Sequence, residues 1–172
     1  MIRPVQLRGP IAALAVLCFA VFATPAPAAG ETLGPSGLPL PRFVSITSER
    51  VNLRNGPGIR YPVAWVFVRR NLPVMVTLEF EHWRKIRDRD GVEGWVHKNL
   101  LSGRRYGVVE GEVQTLRRAP SPDAPAVLRA EAGVIGRLVA CEREWCRMEV
   151  AELTGWLPKS QFFGALPGEV FD

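Results

Sequence analysis

The chain has 172 residues, with 22 Lys or Arg against 17 Asp or Glu, so its formal net charge is +5. This length has room for one ordinary domain or two small ones. The positive charge is almost all Arg and is scattered in pairs such as Arg69-Arg70 and Arg104-Arg105. Scattered pairs favour a solvated surface over a nucleic-acid interface, so we expect no nucleic-acid partner.

The first 28 residues have the pattern of a secretory signal peptide. Arg3 and Arg8 precede an uncharged apolar run at 11–22, and Ala26 and Ala28 fit an A-x-A cleavage site. The apolar run is shorter than the about 20 residues that a membrane-spanning helix needs. We therefore expect cleavage near Ala28 and an exported protein, periplasmic or secreted, with no stable membrane insertion once the signal is removed.

The remainder of the chain has the periodicity of strands. Residues 29–41 combine Gly, Pro and Ser without a periodic pattern and are predicted to be a flexible linker. Strands are predicted from residue 42 onward, most clearly at 72–80, where apolar and polar residues alternate. Residues 83–103 predict two more short strands joined by a tight turn at "DRDG". Because no stretch has a long helical period, the sequence predicts an all-β fold.

The sequence after the signal repeats itself at an offset of about 61 residues. "GWVHKNLLSG" at 94–103 matches "GWLPKSQFFG" at 155–164, Trp83 matches Trp145, and "LRNGP" at 53–57 matches "LRRAP" at 116–120. Such an ordered set of matches predicts two small domains of one fold. We place them at 42–103 and at 104–164, the second including a short connector, with a C-terminal tail at 165–172.

Both repeats resemble the bacterial SH3-like (SH3b) family. "VNLRNGPGIRYPV" is similar to that family's opening strand and loop, and "WRKI…GVEGWVHKNLL" to its closing hairpin and final strand. The second repeat is similar to a proteobacterial exported subtype, although "LRRAPSPDAPAV" lacks both loop glycines. The resemblance implies two tandem small SH3-like β-barrels. It also implies an accessory module that binds cell-wall peptides or other envelope ligands, often attached to a peptidoglycan hydrolase.

The loop at 54–62 is the first candidate for ligand binding. Gly56 and Gly58 can take positive φ angles, and because Ala119 replaces Gly56 in the second repeat, we expect the two turns to differ. An exposed aromatic beside an amide and a cation is a plausible peptide-reading patch on a rigid scaffold. We therefore predict that repeat one holds the ligand, with five candidate residues: Asn55, Arg60, Tyr61, Trp65 and Trp95.

The tryptophans allow two interpretations. Core packing is expected for Trp83 and Trp145, whereas Trp95 fits either the core or a ligand strip equally well. Trp65 is interpreted either as a contact specific to repeat one or as packing between the domains.

No catalytic set is evident in the sequence. It contains no H-E-x-x-H and no G-x-S-x-G motif, and the two histidines, His82 and His97, stand beside motif tryptophans. A two-His metal site is conceivable there, but we expect no metal and no cofactor. We therefore predict a non-enzymatic module that recognises a peptidoglycan peptide or an envelope protein. The alternatives are a periplasmic regulatory or scaffold protein that binds a protein partner, and a small enzyme built on the barrel. The sequence leaves the ligand's identity and the oligomeric state open.

Cys141 and Cys146 are predicted to form a disulfide. Both follow the signal peptide, an oxidising compartment favours pairing, and the four residues between them fit the turn of an antiparallel hairpin. When Trp145 is aligned with Trp83, the corresponding positions of repeat one are Glu79 and Arg84. We therefore expect one cross-strand position to be covalent in one barrel and an opposite-charge pair in the other.

Overall fold

The computed structural model describes residues 32–172, so the predicted signal peptide and its cleavage site lie outside the described residues. The described chain contains sixteen strands and two 3₁₀ helices of three residues each. The first two strands, β1 (Thr32–Leu33) and β2 (Pro39–Leu40), form a small hairpin. The other fourteen form two seven-stranded antiparallel sheets, which confirms the predicted fold of two tandem SH3-like barrels.

Barrel one contains the first seven of these strands: β3 (Arg42–Ile46), β4 (Val51–Arg54), β5 (Val63–Phe67), β6 (Pro73–Phe80), β7 (Trp83–Arg87), β8 (Glu93–His97) and β9 (Leu101–Ser102). They pair in the order β5-β4-β8-β7-β6-β3-β9, so β5 and β9 are the edge strands. A 3₁₀ helix at Lys98–Leu100 connects β8 to β9.

Barrel two repeats this arrangement strand by strand. Its strands are β10 (Tyr106–Val109), β11 (Gln114–Arg117), β12 (Ala126–Ala130), β13 (Ile135–Glu142), β14 (Trp145–Val150), β15 (Leu153–Pro158) and β16 (Phe162–Phe163). The second 3₁₀ helix, Lys159–Gln161, precedes β16. The pairing order is β12-β11-β15-β14-β13-β10-β16, in which every strand takes the place of the strand seven numbers earlier.

Each barrel encloses its own apolar core. The core of barrel one consists of aliphatic residues and one Phe: Val44, Ile46, Val51, Leu53, Phe67, Val74, Val76, Ile86 and Val96. The core of barrel two contains Met and the two Cys as well: Val109, Leu116, Ala130, Leu138, Cys141, Cys146, Met148, Leu157 and Phe162. Between the barrels, the rings of Phe43 and Phe163 meet edge to face with centroids 4.9 Å apart.

The repeated Gly-Trp dipeptide has a packing cause. A Cβ atom on Gly94 would lie 2.6 Å from Leu53 Cγ, and one on Gly155 would lie 2.7 Å from Leu116 Cβ. Both leucines are fully buried. Only glycine therefore lets β8 and β15 cross the core leucine so closely, and the Trp that follows points to the opposite face because strand side chains alternate.

The N-terminal hairpin is attached to barrel one through Glu79. Residues 32–40 lie in the segment that the sequence predicts to be a flexible linker, but they form a hairpin instead. Ser36 donates two hydrogen bonds to the Glu79 carboxylate, both 2.8 Å long, one from its backbone N–H and one from its hydroxyl. The linker prediction fails here because composition cannot reveal an anchor 43 residues away in sequence.

Two arginines complete the environment of Glu79. Arg42 and Arg84 approach its Oε1 atom at 2.6 Å and 3.0 Å, and the side chain of Glu79 is only 1% exposed. Glu79 is directly opposite Arg84 across the β6–β7 hairpin, as predicted. Burial raises the pKa of the Glu79 carboxyl, but hydrogen bonds from Arg42 and Ser36 outweigh burial, so its pKa is lowered overall.

The corresponding position of barrel two is the predicted disulfide. Cys141 and Cys146 are directly opposite across β13 and β14, with Cα atoms 4.0 Å apart. The C-terminal tail covers this hairpin, since the backbone of Phe171 exchanges two hydrogen bonds with that of Cys141. Arg105, which stands where Arg42 stands in barrel one, binds Glu169 of the tail instead. Burial raises the pKa of Glu169, but the hydrogen bond from Arg105 more than offsets it, so its pKa is lowered overall.

Candidate functional site

The loop between β4 and β5 is held by one arginine. Nη1 of Arg54 donates to the carbonyl oxygens of Ile59 and Tyr61 at 3.0 Å and 2.7 Å. The backbone N–H of Asn55 donates to the carbonyl of Pro62 at 3.1 Å and closes the loop. This guanidinium therefore serves the scaffold, although it also lies at the edge of a surface groove.

One of the loop glycines makes room for a tyrosine ring. A Cβ atom on Gly56 would lie 2.4 Å from Cδ1 of Tyr61, and one on Gly58 would lie 3.4 Å from the same ring. Neither glycine has a positive φ angle, so the sequence-based reason for them is wrong. Gly56 is required because the Tyr61 ring lies against the loop backbone, whereas the distance at Gly58 is an ordinary van der Waals contact. The guanidinium carbon of Arg60 lies 5.5 Å from the ring centroid.

The same turn occurs in barrel two without glycine. Nη1 of Arg117 donates to the carbonyl of Ala124 at 2.7 Å, as Arg54 does to Tyr61, and the N–H of Arg118 donates to the carbonyl of Pro125. Ala119 stands where Gly56 stands, and Ala124 where Tyr61 stands. The expectation that the two turns differ is therefore wrong. The backbone is preserved because the large ring and the glycine are exchanged together for two alanines.

A groove of about 320 Å³ lies on the outer face of barrel one. We call it groove one. It is lined by the residue before β4 and by side chains of β4, the following loop, β7, β8 and the β8–β9 connection: Arg50, Asn52, Arg54, Ile59, Trp83, His97 and Leu100. Trp83 and His97 are directly opposite each other on β7 and β8, and their rings meet edge to face at 5.5 Å. Groove one thus combines a half-buried indole, an imidazole, an amide and cations.

The cationic side chains of groove one differ in whether they already form hydrogen bonds within the protein. Arg54 is engaged by the loop carbonyls, whereas Arg50 forms no hydrogen bond or ion pair within residues 32–172. Nδ1 of His97 accepts a hydrogen bond from the N–H of Asn99 at 3.3 Å, which leaves Nε2 as the other polar atom of the ring. Arg50 and His97 are therefore the groups in this groove that can engage a ligand anion.

Barrel two has a groove built from the corresponding positions. Groove two, of about 250 Å³, is lined by Val113, Gln114, Thr115, Arg117, Pro122, Trp145, Pro158 and Gln161. Every residue of groove one has its counterpart there, and the indole and the loop-holding arginine are retained. The difference is charge, because Val113 replaces Arg50 and Pro158 replaces His97.

The five predicted site residues are not brought together in groove one. Asn55 and Arg60 are exposed on the loop, Tyr61 is half-buried against it, and Trp65 lies on the edge strand β5. Trp95 is half-buried on the outer face, with Arg54 opposite it on one side and Lys85 on the other. None of the five lines groove one, and their role in binding stays a prediction.

The tryptophans predicted for the core are outside it. Trp83 and Trp145 are half-buried and line the two grooves. The parity of β7 decides this, since Ile86 is fully buried and positions 83 and 86 face opposite sides of a strand. That signal was present in "WRKIR", where Ile86 is the aliphatic residue that fixes the inward face.

Charged neighbours surround Trp95. Lys85 and Arg87 bind Glu93 at 2.8 Å each. Hydrogen bonds from Lys85 and Arg87 outweigh desolvation and lower the pKa of the Glu93 carboxyl. Glu93 therefore pairs with both cations that flank Trp95 on β7, and none of the three side chains lines groove one.

The two histidines have no third metal-ligating neighbour in the described chain. The rings of His82 and His97 have centroids 6.0 Å apart. Within residues 32–172, no group of three or more His, Cys, Asp or Glu side chains is placed to hold a metal ion. The same residues contain no helix long and apolar enough to cross a membrane.

The fold places this chain among small β-barrel modules. Comparison with known proteins identifies the family to which both barrels belong. The family model described as "Bacterial SH3 domain" matches residues 47–103 and again 110–164. The chain therefore belongs to the bacterial SH3 domain family, in two tandem copies. Members of this family are generally binding modules. The chain matches none of the curated proteins.

Two solved structures are similar to this chain. One is NlpC2 from Trichomonas vaginalis, with 10% identity and a TM-score of 0.34 over 71% of this chain and 47% of that one. The other is an NlpC/P60 family protein from Bacillus cereus, with 12% identity and a TM-score of 0.32 over 73% of this chain and 57% of that one. The chain thus spans about half the length of each.

Proposed function

We propose that this protein is an exported, non-enzymatic adaptor that binds a carboxylate-bearing peptide of the cell envelope, such as a peptidoglycan peptide, in groove one. The observation that carries the proposal is the pair of equivalent grooves, of which groove one alone adds Arg50 and His97 to the shared indole. A bidentate guanidinium and an imidazole suit a peptide carboxylate. The indole offers a flat apolar surface for the peptide chain.

Shape also supports an extended ligand. Groove one crosses the neighbouring strands β4, β8 and β7, which contribute Asn52, His97 and Trp83 in that order. Peptides bind SH3-like modules in extended form along aromatic grooves. Groove two retains the shape but not the charge, so we assign the anionic ligand to barrel one and a supporting role to barrel two.

A matched pair of variants tests this proposal. Trp83→Ala and Trp145→Ala remove the same indole from groove one and groove two, and Arg50→Gln removes the uncommitted guanidinium. Calorimetric titration with a soluble muropeptide and a pull-down with purified sacculi measure binding. We expect Arg50→Gln to weaken muropeptide binding about tenfold, as loss of one charged hydrogen bond implies.

The outcome for Trp145→Ala makes the test specific. Trp83→Ala should abolish binding and Trp145→Ala should leave it within a factor of two, with both variants folded by circular dichroism. Equal losses in the two variants, or full binding by Trp83→Ala, would refute the assignment to groove one. Capture of one envelope protein without any sacculus binding would instead support the regulatory or scaffold alternative.

A further inference from the structure

The edge strand β5 exposes an unusual amount of apolar surface. Val63 is 43% exposed, Trp65 is 52% exposed, and Val68, which follows the strand, is 72% exposed. Strand β5 pairs with β4 on one side and has no strand on its other side within the described chain. Exposed apolar edge strands offer unpaired backbone groups to another chain, and native proteins normally protect them.

Barrel two shows how the same edge is protected. Its edge strand β12 pairs with β11 in the register that β5 uses with β4, so the two strands can be compared residue by residue. Arg129 stands where Val66 stands, and Glu131 where Val68 stands. Leu128, the counterpart of Trp65, packs against the core of barrel two. Two charges thus shield the edge in one barrel and two valines replace them in the other.

A cavity adjoins the exposed edge. It measures about 240 Å³, and Trp65, Phe67, Leu72 and the turn residues Asp88 and Arg89 contribute to its lining. A cavity of this size accommodates an apolar side chain of a segment lying along β5. No residue of β5 lines groove one, so this surface is separate from the proposed peptide site.

The cationic residues around β5 indicate which kind of chain could pair with this strand. Arg60 precedes β5, and Arg69 and Arg70 follow it; all three are exposed and none forms an ion pair within residues 32–172. If two copies of β5 paired antiparallel about Trp65, Arg60 of each copy would be opposite Arg70 of the other. Like charges directly opposite across strands destabilise the pair. A second copy is therefore disfavoured, and acidic flanks are favoured.

We infer that β5 is a protein-docking edge, which accepts an extended apolar segment with acidic flanks from a partner protein as an added strand. The backbone of β5 supplies the hydrogen bonds of strand addition. Val63, Trp65 and Val68 supply apolar contact, and Arg60, Arg69 and Arg70 pair with the acidic flanks. Barrel one thereby presents two separate surfaces, groove one for an anionic peptide and β5 for a protein strand.

A synthetic strand peptide tests the inference. The probe alternates Val and Thr over six residues and carries two Asp at each end; the control peptide carries Lys in place of Asp. Binding is followed by amide and indole chemical shifts of the protein. We expect shifts at residues 60–70, at the Trp65 indole and at the cavity residues Leu72, Asp88 and Arg89. The acidic peptide should bind at least tenfold more tightly than the basic one.

Variants that exchange the edges provide the matched controls. The double variant Val66→Arg with Val68→Glu gives β5 the two charged residues that β12 and its following residue carry in barrel two. It should abolish probe binding and leave muropeptide binding unchanged. Arg129→Val with Glu131→Val exposes an apolar edge on β12 but should not create tight binding of the acidic probe, because Asp123, Ala132 and Gly133 stand where Arg60, Arg69 and Arg70 flank β5. The inference would be overturned by an absence of shifts in β5, by equal affinity for the basic peptide, or by unaffected probe binding in the first variant. A dimer in sedimentation with β5 amides protected would also overturn it.

Discussion

Barrel one and barrel two link the two strands of the same hairpin at one cross-strand position, but by different interactions. Glu79 and Arg84 form an ion pair across the hairpin of barrel one, where Cys141 and Cys146 form a disulfide in barrel two. Each terminal segment then attaches to its own barrel at that point, the N-terminal hairpin through Ser36 and the C-terminal tail through Phe171. This position therefore anchors the segments that flank the two barrels as well as the hairpin.

The arginine near this cross-strand position binds a different carboxylate in each barrel. Arg42 binds Glu79, but its counterpart Arg105 has a cysteine in place of that carboxylate and binds Glu169 from the tail. Arg105 also lies over the rings of Phe43 and Phe171, 5.9 Å and 4.7 Å from their centroids. Replacing one carboxylate by a cysteine therefore requires a second carboxylate from elsewhere in the chain, because a half-buried guanidinium needs an anion.

The largest expected effect follows from removing the charge of Glu79. Glu79→Gln leaves Arg42 and Arg84 without their anion, and breaking a buried pair in this way costs about 3 kcal/mol. We expect faster hydrogen exchange in the N-terminal hairpin and β6, with β13 nearly unchanged. Uniform destabilisation of both barrels would contradict the separate anchoring described here.

Breaking the disulfide should give the mirror image of that result. Cys146→Ser, or reductant on the unmodified protein, removes a loop constraint worth about 2 kcal/mol. Exchange should rise in β13, β14 and the C-terminal tail while barrel one is nearly unaffected. Thiol counting on the denatured protein without reductant provides the control, and two free thiols would show that the bond is absent from the protein.

A smaller effect is expected in the loop at 54–62. Gly56→Ala places a Cβ atom against the ring of Tyr61 and should destabilise barrel one by about 1–2 kcal/mol through overpacking. The double variant Gly56→Ala with Tyr61→Ala reproduces the pair that barrel two uses and should recover most of the loss attributable to the clash. Chemical denaturation of the four members of this cycle measures the coupling; strictly additive losses would contradict the exchange argument.

The mildest test is acidification. The pKa of Glu79 is lowered in the folded protein, so its contribution to stability is present above the unfolded pKa, about 4.3, and is lost as pH falls through the lower folded pKa. The wild type should therefore lose more stability than Glu79→Gln between pH 5 and the acid limit. Identical acid profiles would indicate that the Glu79 carboxylate contributes nothing through its ionisation.

Much of the fold could be predicted from the sequence, and the reasons are local. Alternation in 72–80 and the turn at "DRDG" identify the β6–β7–β8 region, and the offset of about 61 residues identifies the second barrel. The register of Cys141 on Cys146 follows from the same hairpin. Resemblance to a known family then supplied the closure of these strands into barrels, which periodicity alone does not give.

The candidate site was harder to predict because it depends on side-chain parity and long-range contacts. The sequence analysis predicts Trp83 in the core, but the inward position of Ile86 on the same strand places Trp83 on the outer face. Arg50 and Asn52 line the same groove as His97 because β4 pairs with β8. The sequence does not reveal this pairing, since the residues are far apart along the chain. Gly56 invites a backbone explanation, whereas the close approach of the Tyr61 ring is the actual cause.

The most direct test of the account is which groove an anionic envelope peptide contacts. The indole N–H signals of the five tryptophans can be assigned and followed during titration with a soluble muropeptide. If groove one binds the peptide, the Trp83 indole and the His97 ring shift in a saturable manner, while the Trp145 indole does not. Saturable shifts at Trp145 equal to those at Trp83, or no shift at Trp83 at millimolar muropeptide, would contradict it.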